Sequence, residues 1–427
     1  MTTTAATAQV APADETRLDG VDLPALSQRV GTPCHAYSAS AIRERITALQ
    51  TALRGLDVLV CYAAKANSNV AILQLMADAG LGADIVSSGE LRRSLRAGIP
   101  AERIVFSGVG KTADEIVEAL TAGIARFNVE SEDELHLLQR LAAAQDVVAH
   151  ASVRVNPDVD ALTHAKISTG KSENKFGVAI DEARKWFADS ARSTHVRLDG
   201  LHVHIGSQIL SLDPIREALQ RVADFWRELT AAGHAVDCID VGGGLGVSYR
   251  AGRDQPVVID DYAGAVGNAL AGFKGRILLE PGRWLVAGAG VLLTRVIRIK
   301  QGQQRRFLVV DAAMTDLLRP SLYDAWHDIV PVTMEQRPSE VYEVVGPVCE
   351  TGDTFAHDRT MPRCDAGDLV MIKTTGAYGA AMASNYNSRP LAAEVLLDRG
   401  RYAIVRRRQT FDEMIAGEQP AQKWEST

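Results

Sequence analysis

The chain has 427 residues, 46 Lys plus Arg against 53 Asp plus Glu, a net charge of −7 and 46% hydrophobic residues. That apolar content suits a substantial core in one large or two ordinary domains, and the charge balance supplies no basic stripe for nucleic acid. The five cysteines, Cys34, Cys61, Cys238, Cys349 and Cys364, are odd in number and lack CxxC spacing, which argues against a disulfide framework or structural zinc and places the chain in a reducing cytoplasm.

The opening MTTTAATAQVAPADE has neither the basic nor the apolar region of a signal peptide, and no run of about 18 apolar residues occurs anywhere, so neither secretion nor a membrane span is expected. Residues 1–40 precede the first of a series of strand-like runs and are read as a segment that packs on a later β domain. Between Asp57 and Glu280, short β-branched runs alternate with stretches of helical period. Eight such runs begin at Asp57, Ala83, Arg103, Ala125, Val147, Leu198, Val236 and Arg276. Eight strand–helix units predict a closed (β/α)8 barrel, spanning 41–288. Thr112 with Glu115, and Ser131 with Glu134, predict capping boxes. Gly80, Gly98, Gly123 and Gly233 sit where helices end, and Leu135, Leu138 and Leu141 form a core-facing stripe. After Gly290 the rhythm changes: VLLTRVIRIK, RRFLVVDA, EVYEVVGP, DLVMIKT, AAEVLLD and RYAIVRRR predict closely spaced strands. Residues 289–427 are therefore read as an all-β domain.

A barrel of this kind carries its chemistry at the carboxyl ends of its strands. Lys65 follows the first strand, where a desolvated amine of lowered pKa attacks carbonyls and forms imines; the alternative is a snorkelling lysine. Gly242, Gly243 and Gly244 follow the seventh strand and offer bare N–H groups for a phosphate, or make a tight turn; the run is not a dinucleotide fingerprint. Glu280 ends the eighth strand and needs a cationic partner, either a protonated ring nitrogen or Arg283. His202 and His204 suggest a metal, but matching ligands from other strand ends are missing, so no metal is expected and His204 suits stacking on a planar group. Lysine, phosphate loop, stacking plate and acid are together the parts of a pyridoxal-phosphate site.

The segments CYAAKANSN, ADIVSSGELRRSLRAGIP, FNVESEDEL, RVNPDVDALTHAKISTGKSENKFGV, LHVHIGSQI, DVGGGLGV, LEPGRWLV, DLLRPSLYDAWH, GPVCETGDTF and GAYGAAMASNYNSRP, in this order, resemble the diaminopimelate decarboxylases among the fold-type III pyridoxal-phosphate enzymes. The resemblance covers nearly the whole chain; Ser88 stands where glycine is more usual. It implies an alanine-racemase-type barrel plus a β domain, assembled as a homodimer whose active sites lie between subunits, and a small amino-acid substrate. It implies pyridoxal 5'-phosphate on Lys65, His204 against its ring, Glu280 at its nitrogen, phosphate contacts from Ser207, Gly242, Gly243 and Gly244, and further cofactor contacts from Gly282 and Arg283. Arg283, Arg319 and Tyr323 match substrate positions, Tyr378 touches cofactor and substrate, and Cys349 with Glu350 match a pair supplied by the partner subunit. Cys349 would protonate the carbon that has lost CO2, and the reaction would convert meso-diaminopimelate to L-lysine. The alternatives are a sister decarboxylase for carboxynorspermidine or another basic amino acid, a non-catalytic pyridoxal-phosphate carrier, and an alanine racemase. The last would place arginine where Glu280 stands. The polar KISTGKSENKFGV stretch is read as a lid.

Overall fold

The computed structural model describes residues 15–161, 163, 175–190, 193–332, 337–421 and 424. Most of the stretch read as a lid, and the first 14 residues, lie outside the described residues. The first long strand is β1 (Cys34–Ser38). The eight runs between Asp57 and Glu280 are all strands: β2 (Val58–Ala63), β3 (Gly82–Ile85), β4 (Ile104–Phe106), β5 (Arg126–Val129), β6 (Ala149–Asn156), β7 (Val196–His202), β8 (Cys238–Asp240) and β9 (Arg276–Leu279). Each pairs in parallel with the next, and β9 pairs back with β2, so the sheet closes into an eight-stranded barrel. Parallel neighbours need crossovers, and helices supply them.

The helix signals mostly hold. Gly80, Gly98, Gly123 and Gly233 all take positive φ, between 71° and 91°. Thr112 and Glu115 make a complete capping box. The second box is corrected: Ser131 caps the Glu134 N–H, but the Glu134 carboxylate accepts from the Glu130 N–H and from Lys111 Nζ instead. A lysine ammonium is the stronger donor, so it draws the carboxylate away from the cap.

Side chains two apart on a strand share a face. Inside the barrel this yields a lower apolar layer, the buried cluster of Cys61, Val105, Cys238 and Leu278. Two residues further along the same strands come Ser107, Asp240 and Glu280, all buried. The alternation that fills the barrel therefore ends in a polar layer at its carboxyl-terminal mouth. Below, Arg126 and Asp199 form a buried ion pair at 2.7 Å.

The second sheet contains β10 (Gly290–Gln301), β11 (Arg306–Val310), β12 (Ile329–Pro331), β13 (Ser339–Val345), β14 (Thr354–Pro362), β15 (Leu369–Ile372), β16 (Ala393–Asp398) and β17 (Arg401–Arg406). Its backbone order is β14-β13-β11-β10-β1-β16-β17, with β15 beside β10 and β12 beside β15. The N-terminal strand β1 lies within this sheet, antiparallel to β10 and parallel to β16. Tyr37 and Asn69 both donate to the buried Glu394 carboxylate, at 2.5 and 2.9 Å, which ties β1, the loop after β2 and β16 together. No helix among the described residues is long and apolar enough to cross a membrane.

Candidate active site

Lys65 lies in a single 3-10 turn, Ala64–Ala66, directly after β2. Its side chain is 37% exposed, and Nζ lies 2.8 Å from Asp84 Oδ2 at the end of β3. The expected depression of its pKa is corrected. Burial does oppose the ammonium, but the carboxylates of Asp84 and Glu280 outweigh it and hold the pKa above the ordinary lysine value.

Glu280 follows β9 and is buried. Its Oε1 accepts from Ser107 Oγ at 3.2 Å and from Asn128 Nδ2 at 3.1 Å, and His202 Nε2 lies 3.2 Å from Oε2. Burial pushes this carboxyl up, but His202, Lys65 and Asp240 together hold it well below the usual carboxylate range. Asp240 moves the other way, far above its ordinary value, through burial and the Glu280 charge. Glu280 thus carries the negative charge and Asp240 the proton. His202, Asp240 and Glu280 bring ligand atoms within 4.8 Å of one another, but both Glu280 oxygens already accept hydrogen bonds, so the trio is a polar network. The Glu280–Arg283 pairing left open above does not form: Arg283 turns away to Tyr249 and Ser207.

Arg283 Nη1 donates to the Tyr249 hydroxyl at 2.6 Å and Nη2 to Ser207 Oγ at 3.0 Å, while its guanidinium stacks 4.7 Å from the Tyr378 ring. Arg319 stacks 4.3 Å from the other useful surface, the Tyr249 ring, and meets His327 Nε2 at 2.8 Å. Both guanidinia are buried, and neither has a carboxylate partner among the described residues. They frame a cavity of about 360 Å³, lined also by Ser207, Tyr323, Trp326 and Tyr378. Tyr378 takes a left-handed φ of 56° and donates its N–H to Ala66 O at 2.7 Å, which sets this cavity beside the lysine.

His204 Nδ1 accepts from the Gly243 N–H at 3.2 Å, so the neutral ring carries its proton on Nε2. Burial, then Arg154, holds its pKa well below the usual value. The Gly242 N–H is taken by Asp240 Oδ1 at 2.8 Å. Of the three glycines, only Gly244 thus keeps an N–H without an acceptor among the described residues. Their identity is set by close approach: a Cβ would fall 2.2 Å from Val203 O at Gly242, 2.2 Å from Glu280 O at Gly243 and 2.5 Å from Gly206 O at Gly244. Gly282 packs less closely, an added Cβ lying 3.0 Å from the Cβ atoms of Ala63 and Ala66.

Cys349 and Glu350 are not brought to this cavity. Both are exposed in the turn after β13, where the Cys349 N–H donates to Asn387 Oδ1 at 3.3 Å. Sequence reasoning missed Asp84, Asn128, Asp240, Tyr249 and His327. Period-2 counting back from the strand ends would have found the first three.

Pyridoxal phosphate fits these residues. Asp84 Oδ1, Asn128 Oδ1 and His202 Nδ1 are buried without a partner among the described residues, beside an amine, a carboxylate and an imidazole. A flat polar ring that binds covalently to the amine is the kind of group such a set accommodates. The fold and site thus define a barrel-type pyridoxal-dependent decarboxylase, and residues 39–287 match the family described as "Pyridoxal-dependent decarboxylase, pyridoxal binding domain". Among whole-length relatives, the diaminopimelate decarboxylase of Zymomonas mobilis is 46% identical over 405 residues, covering 94% of this chain and 96% of the relative. That of Pseudomonas aeruginosa is 48% identical over 400 residues, covering 94% and 96%. The crystal structure of the Helicobacter pylori diaminopimelate decarboxylase complexed with L-lysine superimposes with a TM-score of 0.89 at 44% identity, covering 92% of this chain and 98% of that one. The chain belongs to the diaminopimelate decarboxylase family.

Proposed function

We propose that this chain, with pyridoxal 5'-phosphate, decarboxylates meso-2,6-diaminopimelate to L-lysine and CO2, the last step of lysine biosynthesis. The observation that carries the reading is the pair of buried, carboxylate-free guanidinia of Arg283 and Arg319 facing one cavity beside Lys65. A buried guanidinium without an anion is costly, so such a pair is built for an anionic ligand. The L-lysine present in the Helicobacter pylori relative supports the same ligand class.

In this reading Lys65 holds the cofactor, Glu280 faces its ring nitrogen and His204 its ring. Ser207, Gly242, Gly243, Gly244, Gly282, Arg283 and Tyr378 surround its phosphate, with Gly244 the backbone donor left free. When bound, the cofactor supplies an electron sink for the electrons left as CO2 departs. Glu280, already anionic, keeps a protonated nitrogen charged opposite it. Arg319 and Tyr323, with Arg283 and Tyr378 beside them, hold the substrate carboxylate, and the walls of the cavity exclude water. Glu350 takes the distant ammonium, and Cys349 Sγ delivers a proton to the carbon that has lost CO2.

The division of the chain into an N-terminal segment (1–40), a barrel (41–288) and a β domain (289–427) belongs to the same proposal, supported by the two separate sheets. So does a homodimer with shared active sites: Cys349 and Glu350 are exposed and outside their own cavity, which suits residues that serve a partner. The five free cysteines support a cytoplasmic location.

The test is an assay of the purified protein with pyridoxal phosphate and meso-diaminopimelate, following CO2 and chirally resolved lysine. L-lysine from the meso isomer, and no product from ornithine, arginine or L-lysine, is expected; turnover of ornithine or arginine in place of diaminopimelate would overturn the substrate assignment. Mixing inactive Lys65→Ala and Cys349→Ala proteins should restore about a quarter of wild-type activity if the sites are shared.

A further inference from the structure

The DAWH end of the DLLRPSLYDAWH segment has no part in the roles given so far, yet it is held from several sides beside the cavity. His327 is wholly buried. Its Nδ1–H donates to Lys373 O at 2.8 Å, at the end of β15, which leaves the Nε2 lone pair to accept from Arg319 Nη1 at 2.8 Å. Its own carbonyl accepts from Arg359 Nη1, on β14, at 2.8 Å, and the Tyr249 ring meets its imidazole edge-on at 5.1 Å. The preceding Trp326 is clamped between the guanidinia of Arg250 and Arg359, at 3.8 and 3.6 Å from the ring centroid. Backbone from β15, a side chain from β14 and the barrel's Tyr249 thus fix one imidazole.

Resting on the reading that Arg319 receives the substrate carboxylate, we propose that His327 is a positioning residue that orients the Arg319 guanidinium while leaving its charge free for substrate. An aspartate or glutamate in this place would orient the arginine equally well but would neutralise it, and the cavity would lose its attraction for a carboxylate. An imidazole supplies one acceptor and no charge. Burial, then the cations Arg319, Arg283 and Arg359, depress its pKa to about 3, so it stays an acceptor throughout the working range. Tyr249 completes the arrangement by presenting its ring face to Arg319 and its hydroxyl to Arg283.

The experiment measures kcat and KM for meso-diaminopimelate, and the Ki of L-lysine as a competitive ligand, in three holoenzyme variants. His327→Ala should raise KM and Ki together by about tenfold or more with kcat little changed, since it removes a hydrogen bond to a charged group. His327→Gln, whose side-chain oxygen can replace Nε2 as acceptor, should recover most of that loss. His327→Asp keeps an acceptor but adds a charge, and should raise both constants as the alanine does. Unchanged KM and Ki in His327→Ala, or a fall in kcat with Ki unchanged, would overturn the inference. If the alanine protein does not fold, equal Ki values in the Gln and Asp variants overturn it. Arg319→Lys in the same assay separates the two levels. If it leaves Ki at the wild-type value, the carboxylate assignment fails and this inference with it. If it raises Ki while the His327 variants do not, only the role of His327 fails.

Discussion

Gly243 offers a direct test of how the barrel mouth is built. Its φ lies outside the left-handed region, so alanine is disfavoured there by space alone. An added Cβ would lie 2.2 Å from Glu280 O and 3.0 Å from Glu280 C, about 1 Å inside ordinary contact, and both partners are backbone that cannot rotate away. Either β9 or the glycine loop must move, and the two are joined by the Glu280 N–H donating to Gly242 O at 2.7 Å. Forced overpacking of this kind costs about 1–3 kcal/mol. The displacement falls on Glu280, proposed above to face the ring nitrogen, and on the Gly243 N–H that donates to His204 Nδ1, and misplacing catalytic groups by about 1 Å costs on the order of a hundredfold in rate. Gly243→Ala should therefore bind pyridoxal phosphate weakly, by its visible absorbance, and lose about two decades of kcat/KM. Gly264→Ala is the control. It sits exposed in the middle of the helix Ile259–Ala269 with nothing within 4 Å of a new Cβ, so it should be neutral or stabilised by up to about 1 kcal/mol in denaturant unfolding. Wild-type absorbance, turnover and unfolding midpoint in Gly243→Ala would refute the argument from close approach.

Asp199→Asn leaves Arg126 buried without its carboxylate and should cost about 3 kcal/mol in urea unfolding at pH 7. Burial raises the Asp199 pKa, but His150 and Arg126 outweigh it and the folded value is depressed. Its stabilisation is therefore present above the unfolded carboxyl pKa and lost as pH falls through the folded one, so the gap between wild type and variant should close in acid. Asp316 shows the opposite sign: burial pushes it up to about 6 against the Ala313 N–H and nearby arginines. The folded protein keeps a proton that the unfolded chain has lost, and stability falls as pH rises from about 4 to about 6. Asp316→Asn should be more stable than wild type by about 1–3 kcal/mol at pH 8 and equal to it at pH 4; a pH-independent gap would contradict this. Deleting the chain through Ser38 removes β1 from between β10 and β16, exposing two strand edges, and the product should be aggregated by size-exclusion chromatography. A monodisperse, fully active deletion would contradict the pairing.

The barrel was legible because short strand-like runs alternate with stretches of helical period, several of them opened by a capping side chain, as at Asn69, Ser87, Thr112 and Ser131. The second sheet was legible in part. Strand β14 reads TFAHDRTMP, whose polar residues hide a strand that buries Phe355, Arg359 and Met361 against neighbours remote in sequence. β12 is three residues long and ends at Pro331, too short for any periodic signal. In the site, the residues at strand ends could be picked out one by one, but the sign of the Lys65 shift could not. It depends on Asp84, which sits 19 residues away on the neighbouring strand and which nothing local in CYAAKANSN announces. Tyr249 and His327 were invisible for a related reason: their significance lies in touching two arginines from different parts of the chain.

That last point explains how labour is divided in the molecule. The polar layer of Asp84, Asn128, Asp240 and Glu280 comes from barrel strands alone, as a consequence of alternation, and in the proposed reading it is the part that meets the cofactor. The cavity beyond it takes Arg283 and Tyr249 from the barrel, but Arg319, Trp326 and Tyr378 from the chain that builds the second sheet. Arg283 and Arg319 meet on one tyrosine, Arg283 at the Tyr249 hydroxyl and Arg319 at its ring face, and Tyr378 is fastened to the barrel by its N–H to Ala66. Substitutions in the polar layer therefore act first on cofactor binding and kcat, whereas substitutions in the Arg319–His327 segment act first on KM. A fold of this design can retain its chemistry while its choice of amino-acid head group is set by a few residues at the seam.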